Sequence, residues 1–447
     1  MRRLFRLIAA LIFAGITCPL PPASGQTSTA PQAPQASPAP QGPQNLTLEE
    51  AEKTALQNHP QVLAAGELAT AASEQTRVVR SAYFPQAYGS ATGVEAENGS
   101  RIAAGALNNP IIFDRFAYGF TVGQLVTDFG RTHELVKSAS QHANAQKENV
   151  VTSRADVLLG VDRAYYGVLK AQAVLQVAQE TVKDRQVVAD QVNVLAKNQL
   201  KSGLDVSFAN VNLAQAQLLL IQAQNDLQAS FAELTTALGY SDQRTFQLVE
   251  QPLPPAPPSD LMPLISQAMQ NRPELISQRL EVGSAQSFAT AERDLWFPTL
   301  SAVGTAGLTP YHQTGIDDRY AAAGFNLNIP IFNGHEFGAL RSEANANARA
   351  QQQFLRDLQN RVVRDVRKAW LDLISAYQRL SVTDQLLKEA TQARDLAEAR
   401  YKLGLSSIVE LSQAQLNWTQ AEIDQASAKY DYQTQLSVLK FQVGVAH

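Results

Sequence analysis

Asn58-His59-Pro60 and Phe84-Pro85 return later in the chain as Asn271-Arg272-Pro273 and Phe297-Pro298, both at an offset of 213 residues. Two unrelated marks at one spacing identify a duplication. Further on, Val161, Ala164 and Tyr165 are matched by Val366, Ala369 and Trp370, and Gly239 by Gly444, at an offset of 205. Residues 46 to 445 therefore read as two structural copies. A period this long is no solenoid unit of a few dozen residues. It predicts two half-molecules, a first repeat over 46–239 and a second over 263–447, each with its own strands and helices. Between them lies a Pro-rich segment, 240–262, whose Pro252-Leu253-Pro254-Pro255-Ala256-Pro257-Pro258 reads as the inter-repeat linker.

Proline is missing from Ile111 to Gln251 and from Ile331 to His447, which leaves both stretches free to run as unbroken helix. Apolar residues there follow a 3-4 rhythm: Val161, Tyr165, Val168, Leu175, Ala178 and Val182 in the first copy, and Val363, Val366, Trp370, Leu373, Tyr377, Leu380 and Leu387 in the second. That is coiled-coil spacing. A helix from Arg131 to about Leu200 would hold roughly 70 residues and, at ~1.5 Å each, would be on the order of 100 Å long. A second helix keeps the rhythm through Leu213, Ala216, Leu220, Ala223, Leu227, Leu234 and Ala237. Each copy thus predicts a long helical hairpin, over about 131–238 and 335–445. The glycines of Lys201-Ser202-Gly203-Leu204-Asp205 and Lys402-Leu403-Gly404-Leu405-Ser406 mark the expected turns.

Ahead of each rod the period changes to two. Phe116, Tyr118, Phe120 and Val122 alternate with Ala117, Gly119, Thr121 and Gly123; Phe325, Leu327, Ile329 and Ile331 alternate with Gly324, Asn326 and Asn328. These predict strands over about 116–128 and 319–331, with partners over about 86–97 and 299–310 that open at the Phe-Pro pairs. Each is about the 9–11 residues of a tilted membrane strand, and apolar-out with polar-in is the alternation of an outer-membrane barrel. Phe116, Tyr118, Phe120, Phe325, Leu327 and Ile329 are then the lipid-facing set. Two hairpins packed on a soluble bundle would alternate in the same way. In lipid, four strands cannot close around a pore, so protomers would have to pool them.

Composition bears on the compartment. The start, Met1-Arg2-Arg3-Leu4-Phe5-Arg6 followed by the apolar Leu7 to Ala14, with Ala23-Ser24-Gly25 as a small-residue cleavage site, reads as a secretory signal over 1–25. Residues 26–45 are rich in Pro, Gln, Ala and Ser and read as a flexible leader. The only cysteine, Cys18, lies inside the signal, and Gly15-Ile16-Thr17 before it is a poor lipidation box. That leaves no disulfide, thiolate metal site or cysteine nucleophile in the mature chain. The formal charge of −4 becomes −7 once Arg2, Arg3 and Arg6 are removed, which argues against nucleic acid as a partner. Beyond the signal, no apolar run reaches the roughly 18 residues that a membrane helix needs.

Signal segment, duplicated strand-strand-rod-rod units and Phe-Pro strand entries, together with Tyr401-Lys402-Leu403-Gly404-Leu405-Ser406-Ser407-Ile408-Val409-Glu410-Leu411, resemble the outer-membrane efflux protein (TolC) family over about residues 46–445. The resemblance implies a mainly α fold with a membrane β-barrel: a homotrimer whose twelve pooled strands form one barrel in the outer membrane and whose rods form a periplasmic α-helical barrel. It also implies a collar from segments around 46–58, 240–262 and the C-terminal end. Its implied partners are a periplasmic adaptor, an inner-membrane pump and outer-membrane lipid; its implied role is a passive exit duct for efflux or type I secretion. Glu410 occupies the first of two acidic places that narrow the tip in this family, and Gln413 departs from the second. Ser406 stands where a basic gating residue is often found. Asp205 and Tyr401 are candidate members of the closing network, and Gly203, Leu204, Gly404, Leu405 and Ser406 are the implied adaptor-docking tip. Read without the family, Glu410 is equally a solvated helix-start carboxylate favoured by the helix dipole, and Asp205 an ordinary cap.

His59, His133, His142, His312, His335 and His447 show no paired metal spacing, and no phosphate loop or nucleophile elbow is present. Neither an enzyme nor a cofactor is expected. The alternative from another class is a soluble periplasmic adaptor or structural coiled-coil protein. An adaptor normally carries one hairpin, whereas this chain has two, each behind a strand pair.

Overall fold

Both Phe-Pro pairs stand where helix gives way to strand. The residue before proline is driven to extended backbone, and Phe84 (φ −109°, ψ 152°) and Phe297 (φ −81°, ψ 150°) each close a short 3-10 turn. The computed structural model describes residues 44–97, 114–242, 244–312 and 317–445. The expected signal segment with Cys18, nearly all of the leader and residues 98–113 lie outside them. The chain from Asn45 onward forms one compact unit.

In the first copy, β1 (Gln44–Leu46), α1 (Leu48–Asn58) and α2 (Pro60–Arg80) lead to β2 (Gln86–Val94) and β3 (Arg115–Thr127), then to α3 (Arg131–Lys197) and α4 (Gly203–Ala237). After β4 (Phe246–Leu248), the second copy repeats the order: α5 (Met262–Asn271), α6 (Pro273–Arg293), β5 (Thr299–Tyr311), β6 (Arg319–Asn328), α7 (Glu336–Lys402) and α8 (Ile408–Val443). The duplicated Asn-X-Pro marks sit at matching helix junctions, where His59 and Arg272 cap α2 and α6 and proline takes the first helical position. The rods α3 and α7 have 67 residues each, about 100 Å at ~1.5 Å per residue.

The four longer strands form one antiparallel sheet in the order β2-β3-β5-β6. Its register carries the face pattern across both copies. Phe120 pairs with Gly89 and Ala306, Val122 with Ala87 and Gly304, and Ala302 with Phe325. Phe116, Tyr118, Phe120, Leu308, Phe325 and Leu327 therefore share one face, while Ser90, Thr92, Thr121, Ser301, Thr305 and Asn326 share the other. Two strands end three residues before the expected positions. β2 ends at Val94, three residues short, where the Ala96 amide turns to donate to the Asp114 side chain at 2.6 Å. β6 ends at Asn328, so Ile329 lies just past the strand. Pro330 follows it and has no N–H to donate to a ladder.

The rods pack where the register of small and large residues allows. In α3, Val161, Tyr165 and Val168 are fully buried with Leu234 of α4 and Ala51 and Ala55 of α1. In α7 the buried stripe runs through Val362, Val366, Ala369 and Leu373, so Val362 takes the place expected of Val363. The equivalent aromatics Tyr165 and Trp370 both hold chain that joins the copies. The Tyr165 hydroxyl lies 2.9 Å from the Leu46 carbonyl and 2.7 Å from that of Val249, and accepts from the Val249 amide at 3.1 Å. Trp370 Nε1 donates to the Pro258 carbonyl at 2.9 Å, and Tyr432 caps Pro255 in the same way. The Pro-rich linker is thereby fastened to both rods.

Candidate functional site

At the far end of the rods the two hairpin turns are closed by the same hydrogen bonds at an offset of 205. Gln199 and Leu200 donate their amides to the Ala196 and Leu195 carbonyls at 2.9 Å each; Gly404 and Leu405 donate to Tyr401 and Arg400 at 3.1 and 2.8 Å. This is the Schellman helix stop, which places the residue after the cap in the left-handed region. Gly404 adopts it at φ 74° and Gln199 at φ 62°. The expected marking of the first turn by Gly203 is therefore corrected. Gly203 is the first residue of α4, and the left-handed position of the first turn belongs to a glutamine. Since a side chain there costs roughly 1–2 kcal/mol, Gln199→Gly is expected to stabilise the chain by about 1 kcal/mol, read as a raised denaturation midpoint with an unchanged m-value.

The corrected alignment pairs Leu200 with Leu405. They are 68% and 66% exposed, and Leu204, Leu403 and Val409 beside them are also exposed. Leu204 and Leu405 thus stand in solvent at the turns, and sequence reasoning missed Leu200. Carrying the 205 offset back from Gly239 and Gly444 would have found it. Ser406 is half-buried with a hydroxyl that meets no partner among the described residues.

Beneath these leucines, Ala189 and Val192 of α3, Ala209 of α4, Ala397 and Tyr401 of α7, and Ile408 and Leu411 of α8 form a small core that joins the two hairpins. Tyr401 is buried. The Lys201 ammonium lies 3.9 Å from the centroid of its ring, reaching from the first turn onto the second rod. Burial, followed by the charge of Asp205, pushes the Tyr401 phenol above its ordinary value. Asp205 itself is engaged in a capping box: it accepts from the Ser202 amide at 3.0 Å and from its hydroxyl at 2.7 Å, while Ser202 Oγ accepts from the Asp205 amide. These bonds to Ser202 and the Lys201 charge hold its carboxyl low.

Glu410 is the counterpart of Asp205 at the same offset. Its amide donates to the Ser407 cap, and its carboxylate pairs with Arg400 Nε at 3.1 Å. Arg400 also donates to the Leu405 carbonyl at 3.4 Å, tying the end of α7 to the start of α8 across the turn. Gln413 spends its amide on Asn417 at 2.9 Å, within α8. The structure thus gathers Glu410, Asp205 and Tyr401 at one tip and adds Lys201 and Arg400, which no motif singled out. Among the described residues no cluster of three or more metal-type ligands occurs.

Three comparisons bear on this geometry. A family model described as outer membrane efflux protein matches residues 52–240 and 264–445. The pyoverdine export outer membrane protein OpmQ of Pseudomonas aeruginosa is 23% identical over 308 residues, 68% of this chain and 64% of OpmQ. The outer membrane protein TolC of Escherichia coli is 22% identical over 81% of this chain and 75% of its own length. A crystal structure of a membrane protein from Pseudomonas aeruginosa superposes with a TM-score of 0.78 at 21% identity, covering 89% of this chain and 93% of the other.

Proposed function

This chain belongs to the outer membrane efflux protein family and is an outer-membrane channel component of an efflux or secretion system; on that premise we propose how it works. Three copies pool their strands into a twelve-stranded barrel in the outer membrane, and their rods form a helical tunnel across the periplasm. The observation that carries this reading is the sheet. Among the described residues it has one apolar face and two unpaired edges, β2 and β6. In hydrocarbon each unsatisfied edge group costs several kcal/mol, so the sheet is stable only when closed on further copies. Phe116, Tyr118, Phe120, Phe325 and Leu327 then face lipid, and the Thr, Ser and Asn face lines water. The segments 46–58 and 240–262 with the C-terminal end make the collar.

The rod tips, through Leu200, Leu204, Leu405 and their turn neighbours Gly203, Gly404 and Ser406, dock an adaptor that couples the duct to an energised inner-membrane pump. The chain conducts passively. Detergent-extracted protein with the native mass of three chains and discrete conductance in a planar bilayer is the expected result. A monomer that extracts with salt alone and conducts nothing would leave a periplasmic coiled-coil protein instead.

Glu410 sets ion preference at the tip, because three-fold symmetry makes a ring of carboxylates beside Arg400. Its pair with Arg400 is about half exposed and so contributes about 0–1 kcal/mol. Glu410→Gln should therefore leave folding intact while freeing three arginines. The expected result is a reversal potential in a salt gradient shifted toward anion permeability; an unchanged potential would remove Glu410 from the conducting path.

A further inference from the structure

We propose that the collar end of the rods carries a proton-binding site, in which the carboxyl groups of Glu52 on α1 and Asp162 on α3 share one proton and so tie α1 to α3. Asp162 is 1% exposed, and neither of its carboxylate oxygens meets a donor among the described residues. Its neighbours along α3, Val161 and Tyr165, are fully buried in the same cluster as Ala51 and Ala55 of α1. The phenols next to it are committed elsewhere. Tyr165 bonds the Leu46 and Val249 carbonyls, and Tyr166 donates to Gln251 Oε1 at 3.4 Å. The group left beside it is the Glu52 carboxyl of α1.

Two carboxylates side by side in a poorly solvated site cannot both be ionised at ordinary cost, so one proton between them turns repulsion into a hydrogen bond. Burial first, then the Asp162 charge, push Glu52 up to about 7, with Glu49 of the same helix adding and Lys440 of α8 opposing. The sign of the linkage follows from that direction. A carboxyl raised above its ordinary value of 4.5 stabilises the fold fully below that pH and loses the contribution as pH climbs through about 7. Docking of α1, and with it the seat of β1 against β4, is then weakest in alkaline medium.

The test uses the full-length trimer in detergent, in a Glu422→Gln background. Glu422 is pushed up to about 7 by burial and by Glu180, and would otherwise add its own slope. The expected result is an infrared band of a protonated carboxyl at about pH 6 that disappears in Glu52→Gln, together with a melting temperature that falls by several degrees from about pH 5 to about pH 8.5. In Glu52→Gln the amide donates to Asp162 at every pH, so this fall flattens and the variant outlasts its parent at the alkaline end. Asp162→Asn supplies the donor from the other side and should flatten the fall likewise, should Glu52→Gln fail to fold. A band unaffected by Glu52→Gln, or an equal slope in all three proteins, overturns the proposal. So does a rise in alkaline melting temperature on adding calcium chloride that Glu52→Gln abolishes, since the pair would then hold a cation.

Discussion

Gly307→Val is expected to abolish the assembled channel in the outer membrane, while Gly304→Ala three residues away leaves it intact. Gly119, Gly307 and Tyr320 stand in one row across β3, β5 and β6, and the Tyr320 ring lies over both glycines. A Cβ at 307 would strike the Tyr118 carbonyl and the Tyr320 ring, and one at 119 would come within 2.5 Å of the Ala306 carbonyl. The flexible ring can yield, but the backbone carbonyls cannot without parting β3 from β5. That pair joins the two copies into one sheet, next to the register shift between Phe116 and Tyr118. Overpacking of a tight site costs about 1–3 kcal/mol, and here the loss falls on the pairing that must hold before any barrel closes. Gly304 faces open space, with nothing within 4 Å of an added Cβ. Heat-resistant trimer on gels of outer-membrane fractions reads the outcome. Equal amounts of trimer from both variants would show that β3 and β5 separate freely, against the register seen here.

Leu200→Asp with Leu405→Asp should abolish efflux while leaving trimer, membrane level and conductance unchanged. The two leucines occupy the same place in matching turns and stand 68% and 66% exposed. Burying a leucine on docking contributes about 2–3 kcal/mol, and each 1.4 kcal/mol is about tenfold in affinity. Each aspartate should therefore weaken adaptor binding by roughly 100-fold, and the pair should eliminate it. Adaptor cross-linking yield and growth on a pump substrate give the reading. Wild-type cross-linking from the double variant would move docking off the turns.

These predictions differ in how much of their ground was legible in the residues. The duplication, the rods and the paired strands were, because each rests on repetition of local rules: a period of two for strands, a 3-4 rhythm for long helices, and Phe-Pro to end a helix. The identity of the apolar sheet face was legible for the same reason. The last strand, expected to reach residue 331, ends at Asn328 because alternation continues past Pro330 while ladder hydrogen bonding does not. Gly203 was misread as the turn because glycine is the usual marker of a left-handed helix stop, yet the helix-end bonds of α3 impose that conformation on Gln199.

Repetition of local rules is enough to specify two copies of a strand pair and a helical hairpin about 100 Å long, with one face of each strand apolar. The contacts between distant residues come from the fold alone. Lys201 meets Tyr401 across two hundred positions of chain, Arg400 meets Glu410 across a turn, Glu52 meets Asp162 between α1 and α3, and Tyr320 covers Gly307 between strands. Periodicity reports which face of an element is buried, since that depends on neighbours a few residues away. Which side chains meet on that face depends on the register between elements, and packing sets that register only once the copies have come together.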